Sequence, residues 1–179
     1  MAAEASKVEV RENPMKTVRI SKVVLNMGIG RSGDIIERAK TLLKDLTGHN
    51  PSSRTAKRTV KDFGVQKGEP IGVTVTLRGE EASDVLKRLL AAKENKISRN
   101  SFDGTGNYSF GIREHIEIPG VKYDPDIGIF GMDVTVVLDR PGYRVRRRKR
   151  AASDVGKKHK VVDEDAVEYF KTSLNMEVV

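Results

Sequence analysis

The chain has 179 residues, of which 33 are Lys or Arg and 25 are Asp or Glu, giving a formal net charge of +8. It contains no cysteine and only three histidines, far apart at positions 49, 115 and 159, which argues against disulfides, thiol catalysis and a zinc site. No run of 18 apolar residues occurs, so we expect a cytoplasmic protein built around one domain.

The first predicted elements follow a polar stretch, residues 1–12, which we expect to be flexible. Residues 18–27 alternate apolar and polar side chains, which is typical of a strand with one buried face. Residues 34–47 carry apolar side chains at helical spacing. Asp34 and Glu37 have the spacing of a capping box, and Gly48 is expected to end the helix.

A first basic cluster follows this helix. Residues 54–67 contain five Lys or Arg and a single acid, Asp62. The pattern predicts a basic strand at 54–60, a loop at 61–70 and a strand at 71–78 whose apolar residues alternate with Gly, Thr and Arg. A second amphipathic helix is predicted over 81–93.

The last third of the chain holds two more alternating strands, 108–112 and 131–138, and a final helix at 163–174. Between them, residues 140–160 contain ten Lys or Arg against one acid, Asp154, and show no periodicity. Clustered positive charge is typical of a protein that meets a polyanion. The simpler alternative is a solvated surface with a disordered basic tail.

Strands that alternate in this way predict an α+β fold, with an antiparallel sheet, helices on one face and the other face open, as in ferredoxin-like or RRM-like domains. Hydroxyl and amide groups on an open face suit an RNA backbone, whereas an ordinary solvated face is the alternative. The residues predicted on the open face are Asn26, Thr74, Thr76, Arg78, Asn107 and Ser109.

Gly28 to Gly33 match the GxGxxG pattern of dinucleotide-binding proteins, directly after a strand and before a helix. The acid that should follow about 20 residues later is missing, because that region reads HNPSSRTAKRTV. We therefore favour a tight turn close to a phosphate. A nucleotide-dependent enzyme and a generic basic nucleic-acid-binding protein, such as a DNA-binding protein, stay as alternatives. No nucleophile and base form a catalytic pattern, so an enzyme is not expected.

Four sequence blocks resemble those of a single protein family. They are KVVLNMGIG (22–30), EPIGVTVTLRG (69–79), SFDGTGNYSFGI (101–112) and GMDVTVV (131–137). In this order they resemble the universal 5S-rRNA-binding protein five of the large ribosomal subunit, over roughly residues 13–140. The basic continuation after residue 139 is similar to archaeal and eukaryotic cytosolic members, and the brevity of the chain favours the archaeal type.

The resemblance implies a non-enzymatic constituent of the large subunit that holds 5S rRNA in the central protuberance, with no cofactor and no metal. The implied partners are 5S rRNA, large-subunit rRNA, P-site tRNA and neighbouring ribosomal proteins. We divide the chain into a flexible segment (1–12), a 5S-rRNA-binding domain (13–139) and a basic C-terminal extension with a terminal helix (140–179).

The family's contact positions carry over to this sequence by motif. Those implied for 5S rRNA are Asn26, Gly28, Asn50, Thr74, Thr76, Arg78, Asp103, Asn107 and Tyr108. For Asp103 a turn cap is the alternative, and for Tyr108 a core position. The loop 61–68 is expected to reach P-site tRNA through Lys61, Phe63, Gln66 and Lys67, and a flexible hairpin tip with no partner is the alternative. The extension would meet rRNA or a neighbouring protein through Arg144, Arg146, Arg147, Arg148, Lys149 and Arg150.

Overall fold

The centre of the molecule is a five-stranded antiparallel sheet. The computed structural model describes residues 13–30, 33–121, 123, 125 and 128–178. The strands are β1 (Arg19–Gly28), β2 (Ser52–Thr55), β3 (Pro70–Leu77), β5 (Tyr108–Ile112) and β6 (Met132–Asp139), and their order is β2-β3-β1-β6-β5. Two short strands, β4 (Lys96–Ile97) and β7 (Glu177–Val178), form a separate parallel pair.

Four helices accompany the sheet: α1 (Asp34–Thr47), α2 (Gly79–Ala92), α3 (Arg144–Arg147) and α4 (Asp163–Leu174). Six of the elements have the β-α-β-β-α-β order of ferredoxin-like folds: β1, α1, β2, β3, α2 and β6. Strand β5, which comes before β6 in the chain, is added at the edge of the sheet. The predicted α+β fold is confirmed. Within the part of the chain that the structure describes, no helix is long and apolar enough to cross a bilayer.

One face of the sheet forms the core with the three long helices. Each strand contributes every second side chain to this face, as the pleat of a strand requires. The strand residues buried there include Val23, Leu25, Met27, Val73, Val75, Leu77, Tyr108, Phe110, Ile112, Val134 and Val136. Helices α1 and α2 cover them with their apolar stripes, which include Ile36, Leu43, Leu86 and Leu89. All three helices therefore lie on the same side of the sheet.

The terminal helix α4 is part of this core. The Phe170 ring is fully buried and lies 5.3 Å from the Tyr108 ring and 6.0 Å from the Phe102 ring, centroid to centroid. Gly106 packs against the start of α4 so closely that a Cβ at that position would lie 2.5 Å from Val161 Cγ1. The chain after residue 139 thus returns to the domain and does not leave it.

The element boundaries differ from the predictions in a few places. The predicted capping box is wrong, because Gly33 is the N-cap of α1 and provides no side-chain bond, whereas Gly48 ends the helix as expected with a left-handed φ of 71°. A basic strand was predicted at 54–60, and a strand is present there, but its bounds are Ser52–Thr55. Strand β2 ends at Thr55, because its pairing with β3 shifts register after Arg54 and the chain then leaves the sheet. The predicted flexible segment 1–12 lies outside the described residues.

Candidate nucleic-acid interface

The second face of the sheet is polar, and its composition follows from the strand register. One row of paired residues crosses all five strands: Ser52, Thr74, Asn26, Asp133 and Gly111. A second row crosses four strands: Thr76, Val24, Thr135 and Ser109. Arg54, Gly72 and Gly28 lie side by side near one end of the sheet. We call this surface the open face.

Two hydrogen bonds order the side chains of the open face. The Thr74 hydroxyl donates to Asn26 Oδ1 at 3.1 Å, and the Ser109 hydroxyl donates to Thr135 Oγ1 at 3.2 Å. Because Asn26 Oδ1 already accepts from Thr74, the amide NH2 of Asn26 is left to donate away from the protein. Acceptors that such a donor fits include phosphate oxygens and ribose hydroxyls.

The predicted contact residues divide into three groups by exposure. Asn26, Gly28, Asn50, Arg78 and Ser109 are exposed, and Thr76 and Asn107 are half-buried. Thr74 lies on the open face but is only 7% exposed, so its role there is to hold Asn26. Asn50 lies between α1 and β2, and Arg78 directly follows β3.

Tyr108 requires a correction, because its side chain is 1% exposed and lies on the core side of β5. It stacks on Phe110 and meets the edge of Phe170, and burial raises the pKa of its phenol. A residue in that position cannot touch RNA. The alternation in β5 predicted that Tyr108 would lie on the same face as Phe110 and Ile112. The structure agrees with this prediction and not with the RNA contact that the family motif implied for Tyr108.

Asp103 caps the turn that precedes β5. Its carboxylate accepts hydrogen bonds from the backbone N–H and hydroxyl of Thr105 and from the backbone N–H and amide of Asn107, at 2.7 to 3.0 Å. Partial burial acts to raise the pKa of Asp103, but the bonds from Asn107 and Thr105 outweigh it and hold the pKa below its ordinary value. Asp103 and Asn107 therefore build the loop beside the open face by binding each other.

Several open-face residues escaped the sequence prediction. Ser52 and Arg54 join the face from the edge strand β2, and Asp133 and Thr135 join it from β6. The alternation of β6 was a usable signal for the last two. For β2 no signal existed, because its four residues are all polar and all exposed, so periodicity does not show which side faces the core.

The glycine motif at the end of β1 forms hydrogen bonds with the neighbouring strand β3. The backbone N–H groups of Ile29 and Gly30 both donate to the Ile71 carbonyl at 2.9 Å, so they are occupied within the protein. Both neighbours of β1 are antiparallel, whereas a dinucleotide site needs a parallel βαβ unit. Gly28 pairs with Gly72 of the neighbouring strand. Because neither residue has a side chain, the backbone itself forms the surface of the open face at this end. Arg31 and Ser32 of the motif lie outside the described residues.

A hairpin, here called the finger (residues 56–69), connects β2 to β3. Its base is closed by hydrogen bonds between Ala56 and both Glu69 and Gly68, at 2.8 and 2.9 Å, and its stem by the paired backbones of Val60 and Val65. At the tip, a turn of 3-10 helix (Lys61–Phe63) ends at Gly64, which has a left-handed φ of 64°. The Phe63 side chain is 79% exposed, and Lys61, Gln66 and Lys67 are exposed around it.

The basic segment after β6 is ordered and closely attached to the domain. Arg147 pairs with the buried Asp139 at the end of β6, and Arg140 pairs with Asp165 of α4 at 2.8 Å. The segment contains α3 and a 3-10 turn (Lys157–His159). The predicted contact residues Arg144, Arg146, Arg148, Lys149 and Arg150 are all exposed.

The sequence matches known families over most of its length. Residues 13–66 match the family model described as ribosomal protein L5, and residues 70–169 match the model for the C-terminus of the same ribosomal family. The chain is 54% identical over 162 residues to a protein of Nitrosopumilus maritimus, with 90% of this chain and 94% of the relative covered. Identity to a Pyrobaculum aerophilum protein is 53% over 171 residues, and to an Archaeoglobus fulgidus protein 49% over 171 residues, with 96% of each chain covered. These three relatives are each named large ribosomal subunit protein uL5.

Proposed function

Because the chain belongs to the ribosomal protein L5 family, in its archaeal type, we propose that it binds 5S rRNA with the open face of its sheet and contacts P-site tRNA with its finger. The family consists of structural proteins of the large ribosomal subunit, so the chain is a component of that subunit and not an enzyme. Attachment of 5S rRNA in the central protuberance is the task that we assign to it.

The observation that carries the 5S proposal is the uncovered face of the sheet. All three long helices lie on the other face, and the row from Ser52 to Gly111 carries hydroxyl, amide and glycine positions and one carboxylate, Asp133. The charged residues of the open face have both signs and include Lys22, Arg54 and Asp133. Small polar groups let an RNA backbone approach closely.

Selectivity and affinity come from different parts of this surface. Lys and Arg neutralise phosphates and release counterions, which supplies a large, salt-dependent share of the affinity. The shape of the open face and its directed donors, such as the Asn26 amide, then select an RNA of matching shape without reading a groove. Arg54 and Arg78 lie at the borders of the open face, where they reach phosphates on either side.

The tRNA proposal rests on the finger. Phe63 is the most exposed of the large apolar side chains in the described part of the chain, at the tip of a hairpin whose stem is fixed by backbone bonds. Its ring, with Val60 and Ile71, lines an open groove next to Lys57 and Arg58. An exposed ring among cations is suited to a base or ribose next to phosphates.

The proposal is tested by filter binding of the full chain to 5S rRNA, with tRNA and duplex DNA as competitors. We expect 5S rRNA to be preferred over both at equal salt, because shape complementarity adds to the electrostatic attraction that all three share. Equal affinity for the three nucleic acids would leave a generic polyanion binder and would end the proposal for 5S rRNA.

A further inference from the structure

Residues 144–158 form a loop with a large excess of positive charge, which we call the basic loop. It holds eight Lys or Arg and one acid, Asp154. Two of its cations have structural partners: Arg147 pairs with Asp139, and Arg148 Nε donates to the Ala151 carbonyl at 2.8 Å. The other six make no ion pair or side-chain hydrogen bond with another described residue, and they are exposed: Arg144, Arg146, Lys149, Arg150, Lys157 and Lys158.

The two ends of the basic loop are fastened to each other. The Tyr143 hydroxyl accepts from the Val161 N–H at 2.8 Å and donates to the His159 carbonyl at 3.4 Å. The His159 ring donates through Nε2 to the Pro141 carbonyl at 2.8 Å. Arg140 adds a bond to the Lys160 carbonyl at 3.4 Å and its ion pair with Asp165. These contacts, which we call the clamp, bring the two ends of the basic loop close together, as in an Ω-loop.

The body of the basic loop is also held in one conformation. The Ser153 N–H donates to the Val145 carbonyl at 3.3 Å, across the loop. Ala151 has a left-handed φ of 51°, which a residue with a side chain rarely adopts, and the bond from Arg148 holds its carbonyl. A loop whose backbone is already ordered loses less conformational entropy on binding than a flexible tail with the same charge.

The basic loop lies at one end of the open face. Asp139 has the same strand parity as Asp133 and Thr135, so it belongs to the open face, and it is buried because Arg147 of α3 covers it. Asp139 is opposite Arg19, the first residue of β1, whereas the finger is near Gly28, the last one. Ten strand residues separate these two ends by about 30 Å.

From this position and charge we infer that the basic loop binds the phosphate backbone of the same RNA that lies on the open face. The inference rests on the proposed function and adds to it an anchoring site outside the sheet. Residues 144–158 contain no aromatic side chain, so base stacking is not available to them. Six exposed cations on an ordered backbone, without stacking partners, suit the regularly spaced phosphates of folded RNA, which need charge and shape only.

The test is a salt titration of 5S rRNA binding by the full chain. A loop variant carries Arg144→Gln, Arg146→Gln, Lys149→Gln and Arg150→Gln, and it keeps the two structural arginines. A control variant, Arg38→Gln, Lys44→Gln, Lys93→Gln and Lys171→Gln, removes the same charge from the helical side. We expect the affinity of the loop variant to fall about tenfold or more. The plot of its log K against log salt should become less steep by about 3, and the control should change little in both quantities.

A second variant, Tyr143→Phe, keeps every charge but removes the hydroxyl that closes the clamp. We expect its affinity for 5S rRNA to fall several-fold while its salt slope stays that of the wild type, because the same cations make the contacts from a less ordered loop. Partial unfolding would also lower the apparent affinity without changing the salt slope, so binding is compared under conditions in which every variant is fully folded. Unfolding midpoints of all variants show that each one folds.

The two proposals fail in different ways. If the wild type prefers 5S rRNA but the loop variant matches the control in affinity and slope, the basic loop does not hold that RNA and serves another partner, such as an acidic protein. If the wild type shows no preference for 5S rRNA over tRNA and duplex DNA, the proposed function itself is wrong.

Discussion

At the scale of single residues, the polar side chains of this surface have two distinct tasks. Some build it: Thr74 orients the Asn26 amide, and Asp103 closes the turn before β5 with bonds from Thr105 and Asn107. Others are left to meet a partner, as the exposed Arg78 is. A residue's exposure and hydrogen bonds, and not its place in a motif, decide which task it has.

Asn26→Asp tests the donor role that we assign to this amide. The aspartate keeps the acceptor for the Thr74 hydroxyl but replaces the outward NH2 with a negative oxygen that repels phosphate. We expect 5S rRNA binding to weaken by about 1–3 kcal/mol, measured by filter binding on folded protein. The unfolding midpoint should fall slightly, because the new carboxylate lies opposite Asp133 of β6. Asn95→Asp, which adds the same charge just after α2, is the control. Wild-type affinity in Asn26→Asp would remove this residue from the contact surface.

Asp103→Asn tests the turn cap through pH. Since the folded-state pKa of Asp103 is below its ordinary value, the ionised carboxylate stabilises the fold above the unfolded pKa of about 3.9, and this stabilisation is lost as pH falls through the depressed folded pKa. The unfolding midpoint of Asp103→Asn should therefore be lower than that of the wild type at neutral pH, and the difference should shrink below about pH 4. A difference that does not depend on pH would contradict the cap.

At the scale of elements, the finger and the open face are built independently of each other. The finger closes on its own backbone bonds between Ala56 and Glu69 and between Val60 and Val65. Its Val60 and Phe63 line a groove with Ile71, which lies on the core side of β3 and not on the open face. The open face, by contrast, depends on register, because each of its rows needs several strands in alignment. Changes at the finger tip should leave the rows intact.

The variant Lys61→Gln, Phe63→Ala and Lys67→Gln tests this independence. All three side chains are exposed, so folding stability should change by only about 0.5 kcal/mol per site. We expect 5S rRNA affinity within about twofold of the wild type, since the open face is intact, and weaker tRNA binding in the P site of ribosomes that carry the variant. The control is Ile35→Ala, Lys44→Gln and Lys87→Gln on the helices. A comparable loss of 5S binding in the finger variant would show that the division between finger and face is wrong.

At the scale of the whole molecule, the fold separates a helical side from the open face, to which we assign the RNA. The core lies between the sheet and α1, α2 and α4, and the outer surface of that helical layer carries mixed charges, several of them in pairs such as Lys40 with Glu37. The open face has the finger at one end and the basic loop at the other. A bound RNA would thus extend along the strands between two cationic ends.

Hydroxyl-radical footprinting of the full chain, with and without 5S rRNA, tests this arrangement. We expect Val24 and Val137, on the open face, to lose reactivity when the RNA binds, because it covers them. Ile35, which is exposed on α1, should react as before, and so should Phe63, because we assign it to tRNA. Protection of Ile35 with full reactivity of Val24 would place the RNA on the helical side instead.

The sequence alone determined the class of fold and the long strands and helices, because hydrophobic periodicity is a local property. Helices α1 and α4 lie where the spacing of apolar residues predicted them, and the alternation in β1, β3, β5 and β6 showed that one sheet face would stay polar. The family blocks added the ribosomal identity, which the matches over residues 13–66 and 70–169 confirm.

Only the tertiary structure decided which polar residues share a surface. The rows that join Ser52 to Asn26 and Asp133 depend on strand order and register, and these arise from the packing of distant segments. The same holds for residues 140–160, which lack periodicity: their order comes from contacts of Arg140, Tyr143 and Arg147 with residues of β6 and with the chain at and just before α4. Periodicity cannot reveal contacts between residues that are close in space but far apart in the chain.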